Sequence, residues 1–182
     1  EQLRCSNAGR WGAMKVARNI GPDVMDFVAA RMPNIFGQSI RGGKYAGLGV
    51  ISEAGELVAG IIFNDYWPTF GTIQVHLAAD TPRWATRGVI KEILGYAFLE
   101  AQCNKVWGST PSNLTRVLRF NAGIGFSREA VLRHQYGEGI HAVVTGMMAK
   151  EYRKFYLEPE GAKALFRHRQ KVQQVIKCRE AA

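Results

Sequence analysis

The sequence lacks the features that define several protein classes. Its 182 residues contain only three widely spaced cysteines, at positions 5, 103 and 178, so we expect neither a disulfide framework nor a cysteine-based zinc site. There is no run of about 18 or more apolar residues, so we expect no membrane-spanning helix. We also see no secretory signal, internal repeat or low-complexity stretch. These absences predict a cytoplasmic protein with reduced thiols, no bound metal and no membrane partner.

Acidic residues are also scarce. The chain has 15 Asp and Glu against 24 Lys and Arg, a net charge of +9, which favours an anionic partner such as a phosphorylated cofactor, a nucleic acid or a ribosome. From Lys150 onward the sequence contains nine basic residues and four glutamates. The basic excess is therefore concentrated in the last part of the chain.

The length and the apolar content of 47% indicate one domain with a real core. We predict that this domain spans residues 1–157 and that residues 158–182 form a basic amphipathic helix. The apolar positions of that helix share one stripe: Ala162, Leu165, Phe166, Val172, Val175 and Ile176. Its basic positions form another face: Lys163, Arg167, Lys171 and Lys177.

A central stretch from Gly71 to Phe126 organises the chain. The alternating run Ile73–Leu77 predicts a half-buried strand, and helical spacing of apolar residues predicts a helix over about 85–102. A second strand starts at Val106-Trp107-Gly108, and a second helix opens at Pro111-Ser112-Asn113 and ends at Gly123. Strand–helix–strand connections of this kind normally build parallel strands.

Shorter elements flank this stretch, and we predict them from apolar runs and turn residues. They are a strand at Trp11–Ala17, a helix from Gly21 that ends by Pro33 and Gly37, a hairpin of Tyr45–Ile51 with Leu57–Phe63, a turn at Asn64–Pro68, strands at Glu129–Gln135 and Ala142–Met148, and a helix at Pro159–Cys178.

The order of several short motifs resembles the GNAT family of acyl-CoA-dependent N-acyltransferases, nearest to the ribosomal-protein alanine acetyltransferases and the acetyltransferase-like proteins of phages. The matching positions are Pro82 to Gly88, Tyr96-Ala97-Phe98, Asn104-Lys105-Val106, Asn113, Arg116-Val117-Leu118, Gly125-Phe126, Glu129 and Leu132-Arg133. The resemblance covers about residues 12–156. It implies an α/β fold with a mixed, twisted sheet of six or seven strands flanked by helices, to which this chain adds its C-terminal helix.

The resemblance also implies acetyl-CoA as co-substrate. The pyrophosphate is expected on the loop Arg83–Ile90, where a helix N-terminus supplies donors, and the pantetheine arm is expected between strands Ile73–Ala79 and Lys105–Gly108. The implied cofactor-binding residues are Leu77, Ala78, Ala79, Arg83, Thr86, Arg87, Gly88, Val89, Ile90, Ser109, Asn113 and Arg116.

Two departures from the family pattern concern the cofactor. The phosphate loop aligns either as Ala85-x-x-Gly88-x-Ile90 or as Arg83-x-x-Thr86-x-Gly88, and each alignment loses a glycine, so that a side chain would crowd the pyrophosphate. Where many members carry a tyrosine that protonates the CoA thiolate, this chain has Asn121 beside Phe120.

The catalytic candidates are His76, Asp65, Tyr66 and Asn113, each with a structural alternative. His76 is a base or water-holding residue, or a histidine satisfied on the sheet face. Asp65 and Tyr66 lie near the entry of the acceptor, or serve an ordinary turn. Asn113 and Ser109 hold the pantetheine or thioester, or cap a helix. Asp80 is a further candidate for a cap, and Glu138 and His141 line the acceptor side or are simply solvated.

Three functions stay open at this level. The resemblance favours direct transfer of an acetyl group from acetyl-CoA to a primary amine, on a protein N-terminus, a lysine or a small molecule. The charge and the basic C-terminal helix favour an acyltransferase that acts on nucleic acid or tRNA. The lost glycine and lost tyrosine favour a non-catalytic binding protein on the same fold. A homodimer through Gln102–Trp107 and the tail is a further possibility.

Overall fold

The computed structural model describes residues 13–32 and 43–180, which form seven strands in one sheet and five helices. The strands are β1 Lys15–Ala17, β2 Ala46–Ile51, β3 Leu57–Trp67, β4 Thr72–Ala79, β5 Lys105–Pro111, β6 Ser127–Leu132 and β7 Ala142–Met148. The helices are α1 Gly21–Arg31, α2 Arg87–Gly95, α3 Thr115–Gly123, α4 Ala149–Tyr152 and α5 Gly161–Glu180. The predicted α/β class is confirmed.

The sheet is mixed, in the order β1-β2-β3-β4-β5-β7-β6. β4 and β5 are parallel, as the strand–helix–strand pattern predicts, and β5 and β6 each pair antiparallel with β7. The parallel ladder has only three residue pairs, from Thr72–Lys105 to Gln74–Trp107. β4 continues to Ala79, whereas β5 keeps its pairing with β7 as far as Pro111. The ladder between β4 and β5 therefore ends part-way along both strands.

The chain divides into two compact units, which are described separately. The first unit contains the described residues up to Asp65 together with Val75–Ile93, and the second contains Tyr66–Gln74 and the described chain from Leu94 onward. In the first unit α1 packs on the sheet through a cluster of buried residues: Val24, Met25, Phe27, Val28, Ile62 and Ala78. At Gly60 of β3 a Cβ would lie 2.8 Å from Val28 Cγ2, so glycine lets α1 approach the strand closely.

The second unit is built around stacked aromatic rings. Tyr152 lies between Phe98 and Tyr156, with ring centroids 5.0 and 5.6 Å apart, and the Tyr156 hydroxyl donates to the carbonyl of Ile124 at 2.8 Å. Two π-helical turns, Tyr96–Glu100 after α2 and Arg153–Leu157 after α4, carry Phe98 and Tyr156, and Tyr152 is the last residue of α4. Gly125 has a φ of 105°, and a Cβ there would meet Phe155 at 2.8 Å. The Gly-Phe motif therefore has a steric reason.

The structure corrects several predicted boundaries. Asn64–Trp67, predicted as a turn, belongs to β3, and the turn lies at residues 68–71, where the N–H groups of Phe70 and Gly71 donate to the carbonyl of Trp67. Asp65 has a φ of 48° inside the strand, a conformation that Asp tolerates better than most residues. The local composition of a turn therefore did not fix the place where the chain reverses.

Other boundaries differ at the two later helices and at β6. β5 extends to Pro111, so α3 begins at Thr115 and not at Pro111, and β6 covers Ser127–Leu132 instead of Glu129–Gln135. The helical segment from Ala149 to Leu157 was not predicted, and the last helix begins at Gly161. The strand Ala142–Met148 is confirmed. Trp11 and the predicted helix end at Pro33 and Gly37 lie outside the described residues.

The apolar stripe of α5 is only partly buried. Leu165 is buried and Val172 is half-buried, but Ala162 and Phe166 are exposed, Phe166 to 58%. The side chains of Val175, Ile176 and Lys177 lie outside the described part of the chain. Among the helices that the structure describes, none combines the length and apolar character that a bilayer crossing requires.

Candidate active site

The second half of β4 carries the residues predicted to pair with the pantetheine arm. Ala78 is buried, Leu77 is half-buried and Ala79 is exposed. None of the three takes part in the ladder with β5, which ends at Gln74 within the described residues. Backbone groups on such a strand edge can pair with an extended ligand.

His76 precedes these residues in β4 and is only 9% exposed. Burial disfavours the charged imidazolium and lowers the pKa of His76 from 6.5 to about 4. The imidazole is therefore neutral at neutral pH, with one nitrogen as donor and one as acceptor. A group with this pKa can position an amine or a water by hydrogen bonding, but it is a weak base and does not retain a transferred proton at neutral pH.

Asp80 follows β4 directly and pairs with Arg31 at the end of α1. The Arg31 guanidinium donates from Nε to Asp80 Oδ1 at 2.6 Å and from Nη2 to Oδ2 at 2.7 Å. These bonds hold the pKa of Asp80 below its ordinary value. The helix that follows Asp80 is capped by the next residue, because Thr81 Oγ1 accepts from Arg83 N. Asp80 is thus an ion-pair residue and not the cap.

The predicted phosphate loop is fixed at two further points. Trp84, in the short 3-10 helix Pro82–Trp84, is only 2% exposed. Thr86 caps α2, because its Oγ1 accepts from Val89 N at 3.3 Å. Arg83, Thr86, Arg87 and Gly88 are all exposed. The loop therefore presents two arginines beside the positive end of a helix.

In one alignment, the residue that replaces the lost glycine of the phosphate loop does not have its side chain in solvent. Ile90, which replaces it in one alignment, is only 3% exposed, and Val89 is also buried. At Gly88 an added Cβ would have only Thr86 Oγ1 near it, at 4.0 Å. The Gly88 N–H belongs to the first turn of α2, where backbone N–H groups have no acceptor within the helix. In this alignment the side chain that replaces the glycine is buried, and Val89 and Ile90 offer a ligand their backbone at most; in the other alignment the replacing residue is Thr86, which is exposed.

In the second unit lie Ser109, a predicted contact of the pantetheine or thioester, and Asn121, which stands in the place of the family tyrosine. Ser109 lies in β5, two residues after the last pair with β4, and its Oγ is 2.8 Å from the hydroxyl of Tyr136. Asn121, in the place of the family tyrosine, donates from Nδ2 to Thr110 Oγ1 at 3.2 Å. Ser109 is therefore a strand residue and not a helix cap. Sequence reasoning missed Tyr136, which carries no motif.

Asn113 and Arg116 are exposed and near the start of α3. The residue at the N-cap position is Leu114, and no side chain caps this helix. Capping by Asn113 is therefore not what the structure shows. Beside it, Ser112 Oγ accepts from the backbone N–H of His141 at 3.0 Å. The loop between β6 and β7 is thereby attached to the end of β5.

The remaining candidates are divided between the two units. The Tyr66 hydroxyl donates to the carbonyl of Ala101 at 3.1 Å in the second unit, whereas Asp65 and His76 belong to the first. Glu138 is exposed in the loop between β6 and β7. The described residues contain no cluster of three His, Cys, Asp or Glu able to hold a metal ion. Cys103 is buried, and this burial raises its pKa.

Comparisons with known proteins agree with this geometry at the level of the fold. No known family profile matches the sequence, and no curated protein sequence matches it. A dodecameric spermidine N-acetyltransferase from Vibrio cholerae superposes with a TM-score of 0.60 at 11% identity, over 76% of this chain and 95% of that one. A spermidine/spermine N-acetyltransferase from the same organism, in complex with manganese ions, gives 0.58 at 10% identity over 76% and 94%.

Proposed function

We propose that this chain, which has the GNAT fold, is an acetyl-CoA-dependent N-acetyltransferase that transfers its acetyl group directly to a primary amine. The observation that carries the proposal is the segment of β4, loop and α2 in the first unit. In this segment, the part of β4 that lies outside the β4–β5 ladder leads into the capped N-terminus of α2. Arg83, Arg87 and Gly88 are exposed there. Such a segment suits a ligand with amides at one end and phosphates at the other.

Two parts of the cofactor, the pyrophosphate and the pantetheine arm, have proposed binding groups in this segment. The pyrophosphate accepts hydrogen bonds from the first turn of α2, including the Gly88 N–H, and the helix dipole and the two arginines stabilise its charge. The pantetheine amides pair with the backbone of Leu77–Ala79. The cofactor contacts predicted in the second unit, at Ser109, Asn113 and Arg116, are a separate part of the proposal. Replacement of Asn113 by Ala tests them.

The proposed reaction forms one bond and breaks one. The nitrogen of a neutral amine attacks the thioester carbonyl carbon, the C–N bond forms, the C–S bond breaks, and the amine proton leaves. His76 orients the amine or a water by hydrogen bonding, and with a pKa of about 4 it passes the proton to solvent instead of keeping it. Water protonates the departing thiolate, because Asn121 has a side-chain amide, which cannot act as an acid as a tyrosine could.

An acyl-enzyme on Cys103 is disfavoured. Its thiol is buried, and a raised pKa keeps it from becoming the thiolate that would attack a thioester. Direct transfer needs no such nucleophile. The acceptor that we propose is a primary amine of a protein N-terminus, a lysine or a small molecule; the two similar structures are enzymes named for spermidine or for spermidine and spermine.

An acceptor carried on nucleic acid is the second candidate, because the described part of α5 presents Lys163, Arg167 and Lys171 in exposed positions. Lys163 is paired with Glu160 at 2.9 Å, an exposed ion pair of small energetic value. Binding to a tRNA that weakens steeply as salt rises would favour this candidate. Binding that is absent at low salt would remove it.

Acetyl transfer itself tests the proposal. The protein is incubated with acetyl-CoA and, in turn, spermidine, a peptide with a free N-terminal alanine and an N-blocked lysine peptide. Free thiol and the acetylated product are both measured. Gly88→Trp should abolish turnover by filling the space above the first turn of α2, whereas Glu92→Trp, one turn further along the same helix, should retain it. Turnover that Gly88→Trp leaves unchanged would contradict the proposed cofactor site.

A further inference from the structure

The Arg31 guanidinium is held on three sides within the first unit. Besides its two bonds to the Asp80 carboxylate, Nη1 donates to the carbonyl of Phe27 at 3.1 Å. The guanidinium carbon lies 3.4 Å from the centroid of the Phe27 ring. A planar fork stacked on an aromatic ring is a geometry that lysine cannot reproduce. This arrangement fixes the side chain in one orientation.

The partner of this fork, Asp80, lies three residues before the predicted phosphate loop, which begins at Arg83. Asp80 follows the last residue of β4, and its N–H donates to the carbonyl of Val58 at 3.0 Å. Backbone and side chain of Asp80 are therefore both anchored. The loop direction after β4 depends on this residue, because Thr81 begins the 3-10 helix that leads to α2.

Charge gives the pair a second consequence. Between Asp80 and Gly88 the sequence has two arginines and a single acidic residue, Asp80 itself. A carboxylate beside an anion-binding loop repels the anion unless a cation compensates it. Arg31 supplies that cation from α1, 49 residues away in sequence.

We propose that Arg31 is a positioning residue for the cofactor, which acts through Asp80 by fixing the residues that lead into the phosphate loop and cancelling the one negative charge between Asp80 and Gly88. The inference rests on the proposed function, since it concerns the binding of acetyl-CoA. It predicts an asymmetry between the partners. Loss of Arg31 leaves the Asp80 charge uncompensated, whereas neutralisation of Asp80 leaves a cation in place. A pair with a structural role alone would respond equally to either change.

The test is calorimetric titration with acetyl-CoA on four forms of the full chain: wild type, Arg31→Gln, Asp80→Asn and the double variant. Arg31→Gln should raise the dissociation constant about 10-fold at low salt, and less at high salt because screening reduces the repulsion. Asp80→Asn should raise it by about 3-fold or less, and the double variant should bind more tightly than Arg31→Gln alone. Lys15→Gln, an exposed charge loss on β1 of the same unit, controls for net charge and should bind like the wild type.

A truncated acetyl donor distinguishes a positioning role of Arg31 from a general loss of structure in the variant. S-acetylpantetheine lacks the pyrophosphate, so Arg31→Gln should leave its kcat/KM within about 2-fold of the wild type, as the loop then has no anion to hold. Thermal unfolding checks that each variant folds. If Arg31→Gln does not fold, Arg31→Lys and Asp80→Asn are compared instead; Arg31→Lys loses the fork geometry but still compensates the Asp80 charge, so it should bind acetyl-CoA within about 3-fold of the wild type.

The outcomes separate this inference from the proposed function. Equal losses for Arg31→Gln and Asp80→Asn, or an equal loss with the truncated donor, would overturn the positioning role while wild-type binding still supported the acyltransferase. If Arg31→Gln does not fold and Arg31→Lys is measured in its place, an affinity for acetyl-CoA that falls more than about 3-fold in Arg31→Lys, together with unchanged binding by Asp80→Asn, would also overturn the charge argument. A wild-type protein that binds no acetyl-CoA would overturn both.

Discussion

Two loops of this molecule are held in different ways. The first, residues 80–90 of the first unit, contains the predicted phosphate loop Arg83–Ile90 and is fixed by the Arg31–Asp80 ion pair, two threonine caps and the buried ring of Trp84. The second, the loop between β6 and β7 at residues 133–141 of the second unit, has mostly exposed residues. Besides its bonds to Ser109 and Ser112, it contains bonds from backbone N–H groups to imidazoles, from Gly139 to His134 Nδ1 at 2.9 Å and from His134 to His141 Nδ1 at 3.1 Å.

This difference indicates different tasks. The phosphate loop has its shape before a ligand arrives, and such preorganisation lowers the entropic cost of binding an invariant group such as a pyrophosphate. The β6–β7 loop buries few apolar side chains and depends largely on exposed hydrogen bonds, features of segments that open locally at low free-energy cost. We propose that the first loop binds the cofactor and that the second makes variable contacts with the acceptor.

Among the predicted changes, removal of the Trp84 ring should lower the stability of the protein most. Trp84→Ala leaves a cavity and should lower the free energy of unfolding by about 3–5 kcal/mol. Trp67→Ala, at an exposed tryptophan, should lower it by about 1 kcal/mol or less. Denaturant unfolding at neutral pH measures both. Similar losses for the two variants would show that the phosphate loop is not anchored by its buried ring.

Acid should destabilise the protein through His76. The pKa of His76 is about 4 in the folded chain and about 6.5 when unfolded. The unfolded state thus binds the extra proton between these values. The stabilisation is complete above pH 6.5 and is lost as pH falls toward 4, by about 3 kcal/mol. His76→Asn should flatten this part of the stability curve. An imidazole of His76 that titrates near 6.5 by NMR would contradict the assignment.

Loss of the α2 cap should have a smaller effect. Thr86→Ala removes the acceptor of Val89 N–H and should cost about 1 kcal/mol in unfolding free energy. Thr86→Ser keeps the hydroxyl and is the matched control. Thermal unfolding of both variants measures the difference. A Thr86→Ser variant as unstable as Thr86→Ala would show that the methyl group, and not the cap, supports the loop.

The smallest stability change is expected in the β6–β7 loop. Tyr136→Phe removes the hydroxyl that bonds Ser109 and should cost about 0.5–1.5 kcal/mol. Because we propose that this loop contacts the acceptor, the KM for the amine should rise. Ser109→Ala and the double variant complete a cycle that isolates the shared bond. A KM for the amine that stays unchanged in Tyr136→Phe would remove the distinction between the loops.

The parts of the fold that the sequence predicted depend on local patterns. Alternation around Ile73 and helical spacing after Ala85 predicted the strand–helix–strand unit and its parallel strands, which the structure confirms. Asn64 and Asp65 resemble a turn, yet they extend β3, because a long-range pairing partner outweighs local turn preference.

The site was less accessible to prediction from sequence. The contact of Arg31 with Asp80 joins residues 49 positions apart, and no local spacing encodes it. The lowered pKa of His76 arises from burial, which a strand pattern alone does not reveal. Arg83, Thr86, Arg87 and Gly88 could be named because they follow one another in a loop before a helix. Cofactor contacts for these residues stay a prediction.

The central claim is that the phosphate loop binds acetyl-CoA, and calorimetric titration of the wild type beside Gly88→Trp and Asn113→Ala tests it most directly. We predict micromolar binding to the wild type, abolished by Gly88→Trp because the ring fills the open space above the first turn of α2, and weakened by Asn113→Ala. A wild-type protein that shows no heat of binding, or a Gly88→Trp variant that binds as tightly as the wild type, would contradict the account.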